Sequence, residues 1–387
     1  MKKIINRGYK VRIYPNEDQI ELFEKTFGCV RLIWNYSLME KEYIYNLFKD
    51  YPELLQSHSF KTPAKWKADF PFLKEVDSQA LATTQQELLQ SMKNFYNKSH
   101  NRPRYKSKKN TRVSYTTHTT NNNIRIEGDY IKLPKVGYIK LRKKRRSLPE
   151  HSIIKAATIK RTATNKYYVS LRLEYELDIK ENDSKTLHTI GLDFSLNGFY
   201  IDSKGEKANY PYYYKQSLHK LSKLQRKLSK KVKGSNQYLL LKLKIAKLHE
   251  KITNQRNDFL HKKSRYLVEN YDIISTETLD LNSMKQNKYF SKQVSDASYN
   301  RFLFYLQYKC EETNKSFYQA KKYYASSKIC SNCGKKKKTL PLSQRVYSCE
   351  CGNVINRDMN AAINLATKGM IAYLTNYLED RTASIAW

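Results

Sequence analysis

The sequence predicts an α+β protein of several domains, and three observations carry that expectation. A strand-like opening and a helical stretch give way to period-two alternation from about 112 to 176. Two long basic segments at helical spacing follow, at 216–231 and 237–268. Four of the six cysteines then fall between 330 and 351, just ahead of an apolar helical run. A chain of 387 residues is long for one core and suits two or three.

The elements follow in order. The opening, MKKIINRGYKVRIY, is basic but has no apolar stretch of a secretory signal, so 3–14 reads as a strand and the chain is expected in the cytoplasm, among the nucleoid. No run of eighteen apolar residues exists, which excludes a membrane-spanning helix. Asn16-Glu17-Asp18-Gln19 has the capping-box pattern, and Ile20, Phe23, Phe27, Val30 and Trp34 continue at helical spacing to about 47. A Pro- and Lys-bearing stretch near 62–74 interrupts. A second helix follows Asp77, with Leu81, Leu88, Met92 and Phe95 on one face.

Strands are expected at 123–126, 130–133, 138–141, 153–160 and 167–175, with turns at 128–129, 134–137 and 162–165. With the first strand they predict a small β-barrel, 1–15 and 101–180, carrying a helical insertion at 16–100. Residues 179–186 form a polar linker. Strands at 189–192, 199–202 and 271–276 then frame the two basic helices and predict an α/β domain over 187–325 and 353–370. A cysteine ribbon interrupts it at 326–352, and 371–387 is left as a C-terminal tail.

Charge narrows the function classes. Lys and Arg number 72 against 36 Asp and Glu, a formal net charge of +36. Such an excess opposes compaction unless a polyanion neutralises it, so a nucleic acid is the expected partner and a membrane is not. The basic loop at 101–109 sets Arg104, Lys106 and Lys108 around the aromatic Tyr105. The first basic helix sets Lys223, Arg226, Lys227 and Lys230 on a stretch with very few acids, and both regions are expected to meet a phosphate backbone.

Cys330-x-x-Cys333 and Cys349-x-Cys351 are separated by fifteen residues, and Gly334 and Gly352 close the two pairs. Four thiolates suit tetrahedral Zn²⁺ with no open position, which makes the site structural. Cys29 and Cys310 stand alone and read as packing residues.

Three acids stand at instructive places. Asp193 follows the strand at 189–192, Glu277 follows 273–276, and Asp358 opens a helix with Met359, Ala362, Ile363, Ala366 and Met370 on its apolar face. The RNase H-like fold gathers such positions on one edge of a mixed sheet. Carboxylates crowded there repel one another unless a cation lies between them, and two Mg²⁺ ions about 4 Å apart would suit phosphodiester hydrolysis. The eight histidines are scattered and no Walker-type loop is present, so neither a Ser/His/Asp hydrolase nor an ATPase is expected, and no small-molecule cofactor.

At these residues the sequence resembles the TnpB (OrfB) family of bacterial insertion sequences, relatives of type V CRISPR effectors. The resemblance rests on FGCVRLIWNYSL at 27–38, NRPRYKSKKN at 101–110, IGLDFS at 190–195, ISTETLDL at 274–281, and SSKICSNCG with CECGNVINRDMNAAINL near the C-terminus. It implies an RNA-guided DNA endonuclease with a RuvC-type site of Asp193, Glu277 and Asp358. It implies zinc on Cys330, Cys333, Cys349 and Cys351. A guide RNA from the transposon end and a double-stranded DNA target with a short adjacent motif would be its partners. The chain departs from the family at Thr278, where an acid is usual, and in the shortened second cysteine pair. The rival readings are a nuclease-inactive RNA-guided repressor, an accessory transposition protein such as a strand transferase, and a non-enzymatic zinc-ribbon protein. The 32 tyrosines offer no recombinase nucleophile flanked by Arg and His, and a ribbon protein leaves the three acids unexplained.

Overall fold

The computed structural model describes residues 2–109, 113–142, 148–178, 186–289, 291–341 and 343–385. All but the last residue of the linker expected at 179–186 lies outside them. The chain forms two compact units, Lys2–Leu177 and Asp178–Trp387.

In the N-terminal unit β1 (Lys2–Tyr14) leads into the long helix α1 (Glu17–Phe48). The capping box forms as expected: Asn16 Oδ1 accepts the Gln19 N–H at 2.9 Å and Gln19 Oε1 accepts the Asn16 N–H at 3.1 Å. The prolines of the interruption start short helices, α2 (Pro52–Ser57) and α3 (Pro63–Asp69), and a 3-10 turn at Pro71–Lys74. Helix α4 (Ser78–Tyr96) starts on the Asp77 cap. Six strands follow: β2 (Val113–His118), β3 (Arg125–Glu127), β4 (Tyr130–Leu133), β5 (Gly137–Leu141), β6 (Ile153–Arg161) and β7 (Tyr167–Asp178). Their ladder runs β2-β6-β7-β1-β5-β4-β3, with β2 and β3 at its two ends. Strand β2 was not among the expected strands. Its inward positions include Thr117, which is buried although polar, so the alternation is masked. Phe23, Phe27 and Ile33 of α1 pack with Tyr115, Ile131, Ile139, Val169 and Leu171 of the sheet as one core.

The C-terminal unit is built on a four-stranded sheet. Strands β8 (Thr189–Ser195) and β9 (Phe199–Asp202) form an antiparallel pair. Helices α5 (Tyr213–Ser229) and α6 (Asn236–Asn270) cross over to β10 (Ile273–Thr276). Helices α7 (Leu281–Gln286), α8 (Ser291–Ala297) and α9 (Tyr299–Glu312) cross over to β11 (Ser316–Gln319). The order is β11-β10-β8-β9, with β8, β10 and β11 parallel. All four residues of β10 are buried, as a central parallel strand requires. A small antiparallel pair, β12 (Val346–Ser348) and β13 (Val354–Asn356), precedes α10 (Arg357–Ile385).

Three expectations need correction. Asp193 does not end its strand: pairing with β9 carries β8 on to Ser195, opposite Phe199. The cysteine hairpin extends past 352 to Asn356. Residues 371–385, expected as part of a C-terminal tail, continue helix α10, which runs to Ile385. Among the described residues no helix is long and apolar enough to cross a membrane.

Candidate functional site

The register of two strands brings the first two acids together. Leu192 of β8 pairs with Thr276 of the parallel strand β10, so Asp193 and Glu277 are the next residues on neighbouring strands. Glu277 Oε1 accepts the Phe194 backbone N–H at 3.0 Å. The third acid arrives on α10, which lies against β8 without a gap. A Cβ on Gly191 would overlap the Ala362 carbonyl oxygen and stand 2.6 Å from the Ala366 nitrogen. Only glycine lets the backbones approach this closely, and Ala362 is one turn beyond Asp358. Asn356 caps the helix, its Oδ1 accepting the Asp358 and Met359 N–H groups at 3.0 and 3.2 Å.

The carboxyls feel one another. Burial first, then Glu277 and Asp358, push Asp193 well above the usual carboxylate range, against the pull of the Arg357 guanidinium. Burial and Asp358 push Glu277 up to about 7, although the Phe194 N–H opposes this. Arg357 lies 3.3 Å and Arg345 3.9 Å from Asp358.

The four clustered cysteines also converge, with their sulfurs all within 4.8 Å of one another. Among the described residues they are the one group of three or more His, Cys, Asp or Glu drawn together tightly enough for a metal ion, so the carboxylates are more loosely set. Cys330 lies 3.6 Å from Cys351, and Cys333 lies 3.6 Å from Cys349. The shortened second pair therefore still delivers both thiols. Gly334 and Gly352 turn the chain with positive φ, and their N–H groups reach the Cys330 and Cys349 carbonyls at 2.9 and 3.0 Å. Burial raises the Cys330 thiol, but N–H donors led by the Cys333 backbone outweigh it and bring it to about 6. The Lys335 N–H pulls Cys333 down, while the other thiols and burial push it up to about 12. Such a set cannot fully ionise without a cation between its members. Cys29 and Cys310 are buried and unpaired, as their apolar settings suggested.

Sequence reasoning missed the residues that tie this cluster to α10. The expected apolar face of the helix is incomplete, because Asn360 and Asn364 are also buried. Asn360 donates to the Ile329 carbonyl at 2.7 Å and accepts the Ser331 N–H at 2.9 Å. Asn364 donates to the carbonyls of Ser326 and Ile329 at 2.8 and 2.7 Å. Two asparagines four apart on a helix that buries Ala361, Ala362 and Leu365 were the available signal. Thr278, where an acid was expected, instead donates to the Ala320 carbonyl at 2.7 Å.

The basic residues divide into two kinds. Lys223, Arg226 and Lys227 on α5 and Lys230 just past its end are exposed and line an open groove of about 470 Å³. In the N-terminal unit the basic loop is pinned to α1. The Trp34 indole donates to the Arg104 carbonyl at 3.0 Å, and Asn35 exchanges hydrogen bonds with Lys106 at 2.8 and 3.0 Å. Lys106 Nζ lies 3.6 Å from the Trp34 ring centroid, where burial lowers its pKa. The Tyr105 hydroxyl donates to Glu42 at 2.6 Å. The loop thus presents Arg104 and Lys108 outward, while Tyr105 and Lys106 also anchor it.

Comparison with known proteins agrees along nearly the whole chain. The family OrfB_IS605, described as a probable transposase, matches residues 170–288, and the Cas12f1-like TNB domain matches 299–365. A family described as the OrfB helix-turn-helix domain matches 1–49, though here those residues form a strand and one unbroken helix. A "Putative RNA-guided DNA endonuclease" of Streptomyces pristinaespiralis is 31% identical over 372 residues, covering 96% of this chain and 91% of its own. "Putative RNA-guided DNA endonuclease InsQ" of Escherichia coli is 26% identical over 386 residues, covering 95% and 93%. A solved Cas12f1–sgRNA–target DNA complex contains a chain of similar fold, with a TM-score of 0.58 at 12% identity, over 94% of this chain and 99% of that one. With near-complete coverage on both sides at 31% identity, the chain belongs to the TnpB (OrfB) family.

Proposed function

We propose that the chain is an RNA-guided, metal-dependent DNA endonuclease that hydrolyses phosphodiester bonds at a RuvC-type site of Asp193, Glu277 and Asp358. The observation that carries this reading is the convergence of the three acids from two parallel strands and one helix start. The names of the full-length relatives support the activity. The acids fit divalent cations by their chemistry, since they are hard oxygen donors whose mutual repulsion a cation relieves. Two Mg²⁺ ions, when bound, supply the Lewis acidity that activates a water and offsets charge on the leaving oxygen. The chain's own residues do the rest. Asp193, Glu277 and Asp358 act as the ligands, the Phe194 N–H orients Glu277, and Arg357 with Arg345 steadies Asp358. The four thiols hold one structural Zn²⁺ at the base of α10.

The groove on α5 and the outward residues of the basic loop track phosphates. The N-terminal barrel-like sheet and helical insertion hold a guide RNA derived from the transposon end and read a short motif beside a double-stranded target. Sequence recognition then falls to base pairing. That residues 1–49 hold one continuous helix, rather than two at an angle, supports this division of labour. The test replaces the guide segment of the bound RNA and sequences the ends of cut plasmid. Cutting should move to the new complementary site and still require the adjacent motif. Cutting that stays in place, or that proceeds equally without RNA, overturns the reading.

A further inference from the structure

The helices of the N-terminal unit enclose a cleft of about 630 Å³ that takes no part in the acid or cysteine clusters. Lys41 and Tyr45 of α1, Phe60, and Phe95 and Tyr96 at the end of α4 line it together with Arg102. Lys41 Nζ lies 3.7 Å from the Phe60 ring centroid, and burial lowers its pKa, with Glu40 as the weaker opposing influence. Glu40 itself is engaged by the Lys61 backbone N–H, at 3.0 and 3.2 Å. No ion pair reaches Lys41 among the described residues. The one acid in the lining, Glu42, is neutralised by Arg102 at 3.0 Å and accepts the Tyr105 hydroxyl.

The cleft therefore holds a half-buried ammonium without an ion-pair partner among the described residues, which costs free energy that an anionic ligand would recover. It also presents aromatic faces to solvent, with Tyr45 51% and Tyr96 64% exposed. A ligand that supplies both a negative charge and a flat π-face satisfies the two features together, and a nucleotide has both. Bases inside a duplex are stacked on one another and offer no face, whereas loops and single-stranded segments of RNA do.

We propose that this cleft binds an unstacked nucleotide of single-stranded RNA, its base against Tyr45 and Tyr96 and its phosphate at Lys41. Taking the strand to be RNA, and the guide in particular, rests on the function proposed above; the binding of an unstacked nucleotide does not. The experiment measures affinity of the full chain, without divalent cations, for a single-stranded RNA octamer and for a blunt RNA duplex. Tyr45→Ala and Tyr96→Ala should each weaken octamer binding about tenfold and leave the duplex unchanged. Both side chains are exposed, so melting temperatures should match the parent. Tyr96→Phe keeps the ring and should bind like the parent. Lys41→Gln should weaken the octamer and reduce the log–log salt slope by about 0.7. Unchanged octamer affinity in the alanine variants, or an equal loss on duplex, overturns the proposal. A single-stranded DNA octamer bound as tightly as RNA, with the same losses, overturns the assignment to RNA. Failure of the guide swap would leave these results standing, so the two readings fail separately.

Discussion

Asp193 and Glu277 burden the fold that carries them, because burial first, and the neighbouring carboxylates after it, raise their pKa. Replacing Asp193, Glu277 or Asp358 with alanine should reduce cleavage by orders of magnitude while DNA binding persists, since the basic surfaces are untouched. Normal cutting by Glu277→Ala would remove Glu277 from the site. The raised Glu277 pKa, caused mainly by burial, predicts a pH dependence. Glu277 moves from an ordinary 4.5 up to about 7, so the folded chain holds more protons than the unfolded one across that interval. Stability must then fall as pH rises through it. In magnesium-free buffer the melting temperature should drop between about pH 5 and pH 8, and Glu277→Gln should flatten the drop. An equal slope in the variant would show that Glu277 is not the group that titrates in this interval.

Between elements, the decisive contact is backbone against backbone, where α10 meets β8 at Gly191. At Gly369 the helix instead meets side chains of β10, since a Cβ there would overlap the Ser275 hydroxyl. Gly191→Ala should therefore cost about 2–3 kcal/mol through forced separation of helix and sheet. It should also impair cleavage, because the displaced helix carries Asp358. Thermal melting and single-turnover cleavage would read both effects, and a variant that melts and cuts like the parent would dismiss the close packing. The sequence pointed to the strand, the helix and the acids at their ends. It did not show the rotation of α10 about its axis, which Asn360 and Asn364 reveal. Buried amides break an apolar pattern, and their partners, the Ser326 and Ile329 carbonyls, are more than thirty residues away in the chain.

Across the whole molecule, a polyanion is the partner that would neutralise the excess positive charge, and zinc the ion that would offset the charge of four clustered thiolates. Purified protein should contain one zinc per chain. Cys330→Ser should lower the melting temperature of the C-terminal unit, because ribbon folding and metal binding are coupled. Elemental analysis that finds no zinc in a fully stable protein would reject the site. With a net charge of +36, nucleic-acid binding should weaken steeply with salt. A flat log–log plot of affinity against salt would mean that the charge serves another purpose.

What the sequence determined by itself is whatever depends on short spacing. The capping box at Asn16 and Gln19, the cysteine pairs with their glycines and the acids beside strands and at a helix start each reside within a few residues of chain, and the two basic helices rest on a repeat of three to four residues. What only the tertiary structure decided depends on partners distant in sequence. The strand β2 is held by β6, which pairs Val113 with Arg161 and His118 with Ala156. The burial of two asparagines comes from the Ser326 and Ile329 carbonyls, and the placing of the Lys106 ammonium over a ring comes from Trp34. Local pattern sets which conformation a segment prefers. Which face it buries, and what its polar groups then bond, is set by the surfaces that the rest of the chain brings to it.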